Sequence, residues 1–365
     1  MKYLVVEKEK ICHNAQAVKK RAGSAQIFGV LKGDGYGLGL IELAGILRGE
    51  GVTRFAVTDP ADALKLREAG FLDEEILVLR STCVESEVRL LLEAAATATV
   101  GSYEAAVVLN AVAAEQNTVV DAHIEVDTGM GRYGFQPGEA DKILSVYRYM
   151  PSISVTGTYT HFSRAFKGVK YIKRQLAALN SVVAQVRAAG LDPGTLHAAN
   201  SAALWRCPEA RLDAVRIGSA FLGRMPRMRG DIGLKKVGYI ESQCVEVRWI
   251  ARKSQVGYGA AYTARKPMRI AIVPVGYSDG LLAEKARDTW RCGDVMFMCG
   301  SAIKGWFSRR RVYAATDAGR VRVIGHVGMQ HAVLDVTEIS CAPGDTVRFE
   351  CNPLLSGMML PRKYV

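Results

Sequence analysis

Between residues 26 and 218 short apolar runs alternate with helix-like segments, and this alternation restricts the fold more than any other property of the chain. The runs fall at 26–31, 54–57, 76–80, 97–100, 119–126, 155–160, 195–198 and 214–217. Helical patterns lie between them, at 40–48, 61–69, 85–94, 103–114, 140–149, 171–188 and 202–205. The second of these is followed by Gly70, the residue type that closes a helix in a left-handed conformation. Short apolar runs separated by helices imply parallel strands joined by helical crossovers. Eight of them in this span fit an α/β fold, a (β/α)8 TIM-like barrel. An open doubly wound sheet is the alternative, weakened because no GxGxxG fingerprint follows the first run.

After residue 228 the texture changes. Segments 237–247, 269–275, 320–324, 332–336 and 345–349 alternate apolar with polar residues, the period of half-buried strands. Two domains are expected: a barrel over 1–227, and a mostly β C-terminal domain over 228–365. The stretch 281–318 interrupts the second domain with Trp290, Trp306, two cysteines and Arg309–Arg311, and reads as an insertion with local helix.

Composition excludes several classes. At 49% hydrophobic and 23% charged, the 365 residues suit a soluble globular protein with a large core. The N-terminal apolar run is too short for a signal peptide, and no run approaches the ~20 residues of a membrane helix. No CxxC pair occurs among the eight cysteines, so they read as free thiols in a reducing, cytoplasmic compartment; no zinc or other metal site is expected. The net charge of +12 could attract nucleic acid, but Arg309–Arg311 is a three-residue run, shorter than a binding stripe, and reads as a solvated loop. An anionic cofactor would also respond to that charge.

The chemistry of a parallel barrel sits at the C-terminal ends of its strands. The first run ends at Lys32, followed by glycines at 33, 35, 37 and 39 around Tyr36. Poor solvation at such a position lowers an amine's pKa and frees it as a nucleophile or base; the competing reading is a surface turn with a snorkelling lysine. Later runs end in Asp127–Arg132, in Tyr159-Thr-His161, in His197–Ser201 and in Arg216-Ile-Gly218-Ser219. Each residue has an ordinary explanation alone, but a lysine, two arginines, two histidines and small hydroxyl or glycine residues converge on one face. Asn200-Ser201 and Gly218-Ser219 resemble a phosphate cup after the seventh and eighth strands. A phosphate-bearing cofactor beside a strand-end lysine suggests pyridoxal 5'-phosphate.

These motifs, with 66–70, 126–132, 159–162, 215–218, 256–263 and 275–280, resemble the alanine racemases over nearly the whole chain. That family comprises pyridoxal-phosphate enzymes with a barrel, a C-terminal β domain and a head-to-tail homodimer. The resemblance implies that Lys32 bonds the cofactor and serves as one proton-transfer base. Tyr258 would reach in from the partner subunit as the other. Racemisation requires two bases on opposite faces of Cα. A tyrosine near its ordinary pKa of ~10 would need positive charge nearby, such as Arg132 or His161. Arg216 would bond the pyridine nitrogen and, never giving up its proton, leave that nitrogen unprotonated. Tyr36, Ser201, Gly218 and Ser219 would bind the phosphate, with His161 and Asn200 also at the cofactor. Arg132 and the backbone near Met329 would receive the substrate carboxylate.

Three positions depart from the family pattern. Glu125 stands where many members carry a carbamylated lysine, and supplies a negative charge to Arg132 without modification. Gln330 replaces an aspartate beside Met329. Met358 aligns with a tyrosine that helps close the entrance. The changes leave open a racemase of serine, lysine or ornithine, or a non-catalytic pyridoxal-phosphate carrier. L- and D-alanine interconversion is the expected activity.

Overall fold

Strand β1 (Tyr3–Val6) opens the chain, and the apolar runs become β2 (Gln26–Val30), β3 (Arg54–Val57), β4 (Glu75–Val78), β5 (Ala98–Val100), β6 (Val120–Glu125), β7 (Ile153–Tyr159), β8 (Thr195–Asn200) and β9 (Ala214–Ile217). They are seen in a computed structural model that describes residues 1–225, 228, 230–286, 288, 290, 292–307 and 311–365. Strands β2 to β9 form one parallel sheet in the order β4-β3-β2-β9-β8-β7-β6-β5. A bridge between Leu77 and Thr97 joins its two edges into a barrel. Helices cover the outside and side chains fill the inside, so the strands are buried on both faces and read as apolar runs. Phe28, Val30, Ala56, Leu77 and Ala214 form one interior cluster.

Two devices set the barrel's geometry. Register shifts occur in β6 at Ala122/His123 against β7, and in β8 between His197 and Asn200 against β9. Such bulges re-aim the side chains beside them. The second device is the helix Lys8–Ala22, whose buried face is Ile11, Asn14, Ala15, Val18 and Ala22. Asn14 is fully buried and donates to the carbonyls of Phe221 (2.9 Å) and Lys235 (2.7 Å), while its Oδ1 accepts from Lys235 N (2.7 Å). It thereby ties the chain leaving the barrel to the helix that enters it.

Contacts divide the chain into Lys8–Lys236 and a second unit of Met1–Glu7 with Val237–Val365. The N-terminal strand therefore belongs to the second unit, and not to the barrel as the 1–227 boundary has it. The reason is pairing. β1 lies antiparallel to β10 (Tyr239–Gln243) and parallel to the C-terminal strand Arg362–Tyr364. The second unit holds a nine-stranded, largely antiparallel sheet and a short two-stranded one, with Val256, Ala264, Met268, Ile270 and Ile324 forming a core cluster. The expected run 237–247 divides at Cys244 into β10 and Glu246–Ile250, which pair with different neighbours. Within 281–318 a helix forms at Cys292–Phe307, with Met296 and Phe297 exposed; Arg309 and Arg310 lie outside the described residues. No described helix is long and apolar enough to cross a membrane.

Replacing Asn14 by alanine leaves three backbone groups without their partner, one buried at Phe221 and two part-buried at Lys235, each worth about 1 kcal/mol. The expected loss is about 3 kcal/mol, read as a lower urea midpoint at unchanged m-value.

Candidate active site

Lys32 stands directly after β2, where the chain turns away from the strand direction. Gly33, Asp34, Gly35 and Tyr36 have φ of 63°, 51°, 60° and 57°, one turn of left-handed helix. Glycine takes this region freely, whereas Asp34 and Tyr36 need compensation. Asp34 Oδ1 accepts from Leu40 N (2.9 Å), and the carbonyls of Gly33 and Asp34 accept from Gly37 and Gly39. The turn projects Lys32 and Tyr36 into a cavity of about 420 Å³ at the C-terminal mouth of the barrel.

That cavity is lined by Lys32, Tyr36, Arg132, His161, Asn200, Ser201, Arg216, Gly218 and Ser219, so the expected barrel residues meet in one place. Lys32 is open to the cavity yet ringed by protein. Burial first, then the charges of Arg132 and Arg216, push its pKa below the ordinary lysine value. Tyr36 is pushed up to about 12 by burial, so its hydroxyl keeps its proton. Gly218 packs against the Tyr36 hydroxyl with no room for a Cβ. Ser201 Oγ accepts from Gly218 N and Ala220 N, both at 3.3 Å. Asn200 Oδ1 caps the following helix through Ala203 N (3.0 Å), so the carbonyl half of that side chain has a structural task.

Arg216 is the electrostatic centre. It is buried, and its guanidinium lies 4.6 Å from the centroid of the Tyr159 ring. Nη1 donates to His197 Nδ1 (2.6 Å) and His197 O (3.2 Å). Nη2 donates to Thr160 O (2.7 Å) and lies 3.4 Å from His161 Nδ1. A guanidinium has five N–H donors, and these contacts engage the four on Nη1 and Nη2; among the described residues none accepts from Nε–H. Burial and then Arg216 hold His161 at about 3, with Arg132 and Lys32 adding to the effect. His161 is therefore neutral near pH 7 and does not supply the positive charge expected of it.

Glu125 is buried on the cavity wall with Oε2 unpartnered. Burial raises its pKa to about 7, although Arg216, Arg132 and a hydrogen bond from Tyr159 oppose the shift. Arg132 follows a loop built by Asp127, whose carboxylate accepts from the backbone N–H groups of Gly129, Met130 and Gly131. Burial alone would raise Asp127, but those bonds hold its pKa below the usual value.

Tyr258 and Met329 lie in the second unit. Tyr258 is 82% exposed at the start of the short turn Tyr258–Ala260. Met329 O accepts from Ser278 N (3.0 Å) and Ser278 Oγ (2.7 Å), which fixes its loop against Gly276. Asp279 is buried, ion-paired with Lys2 at 2.6 Å, and caps Gly276 N, a structural task. His123, the role of Tyr159 under the Arg216 guanidinium and the acceptor role of His197 escaped the sequence reading. They sit inside strand runs, where periodicity reports burial and not hydrogen bonding.

The chain is similar to known proteins over most of its length. The family model for the alanine racemase N-terminal domain matches residues 6–226, and that for the C-terminal domain matches 237–353. An alanine racemase of Carboxydothermus hydrogenoformans is 36% identical over 279 residues, 75% of each chain. One of Desulforamulus reducens is 31% identical over 341 residues, 91% of this chain and 85% of the relative. The crystal structure of alanine racemase from E. faecalis superposes with a TM-score of 0.81 at 25% identity, covering 100% of this chain and 98% of that one. With both halves matched and relatives alike over most of its length, the chain belongs to the alanine racemase family.

Proposed function

We propose that the protein interconverts L- and D-alanine with pyridoxal 5'-phosphate, as a homodimer, by a two-base mechanism. The observation that carries this reading is the meeting of Lys32, Tyr36, Ser201 and Arg216 around one cavity in a chain of this family.

The cavity residues fit the cofactor. Lys32 offers an amine whose depressed pKa leaves a reactive unprotonated fraction. The protonated Tyr36 hydroxyl, Ser201 Oγ and the backbone of 218–220 form a small polar cup for a phosphate. Arg216 keeps Nε–H for a ring nitrogen and cannot protonate it. Pyridoxal phosphate, when bound, supplies the electron sink that makes the substrate Cα–H acidic.

The chain's own groups then handle the proton. Lys32 moves it at one face of Cα, and the partner subunit's Tyr258 at the other. The exposure of Tyr258 leaves it available to a second copy. Arg132 receives the substrate carboxylate. Glu125 supplies negative charge to the arginines once ionised, in place of a modified lysine. The reading places the protein in the cytoplasm, where alanine and cofactor are at hand.

The purified protein is expected to absorb in the visible, to be bleached by borohydride with label on Lys32, and to racemise L-alanine in a chiral assay. A colourless protein that cannot be reconstituted overturns the reading. Turnover of serine, lysine or ornithine in preference to alanine would overturn its substrate. Tyr258→Phe should lower racemisation by a factor of about 100 or more while leaving the visible spectrum in place; unchanged racemisation would remove Tyr258 from the mechanism.

Glu125 has a pH signature. Its folded pKa of about 7 lies above the unfolded value, so the folded state binds the proton more tightly. Its stability contribution is complete below the unfolded value and is lost as pH rises through about 7. The loss approaches roughly 3 kcal/mol at alkaline pH. Glu125→Gln should flatten this dependence, seen by comparing urea midpoints of the two proteins at about pH 5 and about pH 8.5.

A further inference from the structure

Arg216 is the near end of a line that crosses the barrel interior. His197 Nδ1 faces Arg216 Nη1 at 2.6 Å, and His197 Nε2 faces His123 Nδ1 at 2.9 Å. His123 Nε2 in turn faces Glu75 Oε1 at 3.6 Å. Glu75 also pairs with Arg54 (3.0 Å), and both line a separate cavity with Asp121 at the N-terminal mouth. Both histidines are buried, at 1% exposure or less.

The direction of the line follows from one fact: arginine only donates. His197 Nδ1 must therefore be the acceptor, and a neutral His197 carries its proton on Nε2. That proton points at His123 Nδ1, which must accept in turn. His123 then carries its own proton on Nε2, toward the Glu75 carboxylate. Protonating either ring would set two N–H groups against each other. Burial, together with the positive charges of Arg54 and Arg216, opposes it as well.

The backbone is shaped to seat this line. His123 stands at the register shift of β6, opposite Gly157 of β7. A Cβ on Gly157 would lie 2.6 Å from the His123 ring. His197 borders the shift of β8, stacks on Tyr159 at 4.7 Å and packs at 5.2 Å from Phe28.

We propose that His123 is a positioning residue for Arg216, acting through His197 along two one-way hydrogen bonds, with the far edge of its ring turned toward Glu75. It touches neither cofactor nor substrate. Its Nδ1 fixes the His197 tautomer, so Nη1 of Arg216 always finds an acceptor and the guanidinium keeps its place on the cavity wall. The bearing of this line on turnover rests on the racemase reading above; its tautomers do not.

The test is imidazole nitrogen-15 NMR of the histidine-labelled protein, with and without cofactor, from about pH 5 to about pH 9. His197 and His123 should each carry a single proton on Nε2 across the range. His123→Asn, whose side-chain carbonyl can replace Nδ1, should preserve the His197 signals. His123→Leu should not: the His197 tautomer is released, and kcat falls about tenfold with KM for alanine nearly unchanged. A proton on His197 Nδ1, titration of either ring within the range, or identical His197 signals in the leucine variant each overturns the proposal. If that variant does not fold, the wild-type tautomers decide. Nε2 protons in a protein that never racemises alanine would uphold the line and remove the racemase reading.

Discussion

A buried guanidinium governs this barrel. Removing a cation from water costs several kcal/mol unless its donors are met. Arg216 meets that cost with carbonyls, an imidazole lone pair and an aromatic face, without a direct carboxylate partner among the described residues. Neutral acceptors leave its positive charge unscreened, and the charge is felt throughout the mouth of the barrel. It adds to the burial that keeps His161 neutral, adds after burial and Arg132 to the depression of Lys32, and tempers the rise that burial gives Glu125. The reactivity expected of the lysine is thus partly a property of an arginine on another strand.

Much of the architecture was legible because it follows from short-range periodicity. Eight apolar runs with helices between them admit few folds, and the polar residues ending those runs gather at one mouth for topological reasons. What stayed hidden is relational. β1 has the composition of a barrel strand, and its place in the other unit is decided by partners more than 230 residues away. His123 sits in an apolar run and reads as a filled core position. Its orientation depends on a register shift and on Gly157 in the next strand, and neither leaves a local mark. The helix Lys8–Ala22 carries a buried stripe, Ile11, Ala15, Val18 and Ala22, but lies before the alternation that organises the rest.

The departures from the family pattern fare differently once seen in place. Glu125 is sealed on the cavity wall with one oxygen unpartnered, so its charge depends on pH near neutrality in a way a permanently anionic group would not. Gln330 adjoins a methionine whose carbonyl is held by Ser278, so that loop keeps its shape through backbone contacts. Met358 is exposed, and nothing in the structure explains a methionine at this position.

The left-handed turn after Lys32 has a mechanical meaning. Four successive residues with φ between 51° and 63° cannot slip into a strand or a right-handed helix without crossing forbidden backbone space. Two of them carry side chains, and Asp34 is pinned to the next helix by Leu40 N. The Cα of Lys32 is therefore a fixed pivot. Whatever travel its amine makes during turnover comes from side-chain torsions alone. Its end describes an arc about one anchored point, always returning to the same wall of the cavity.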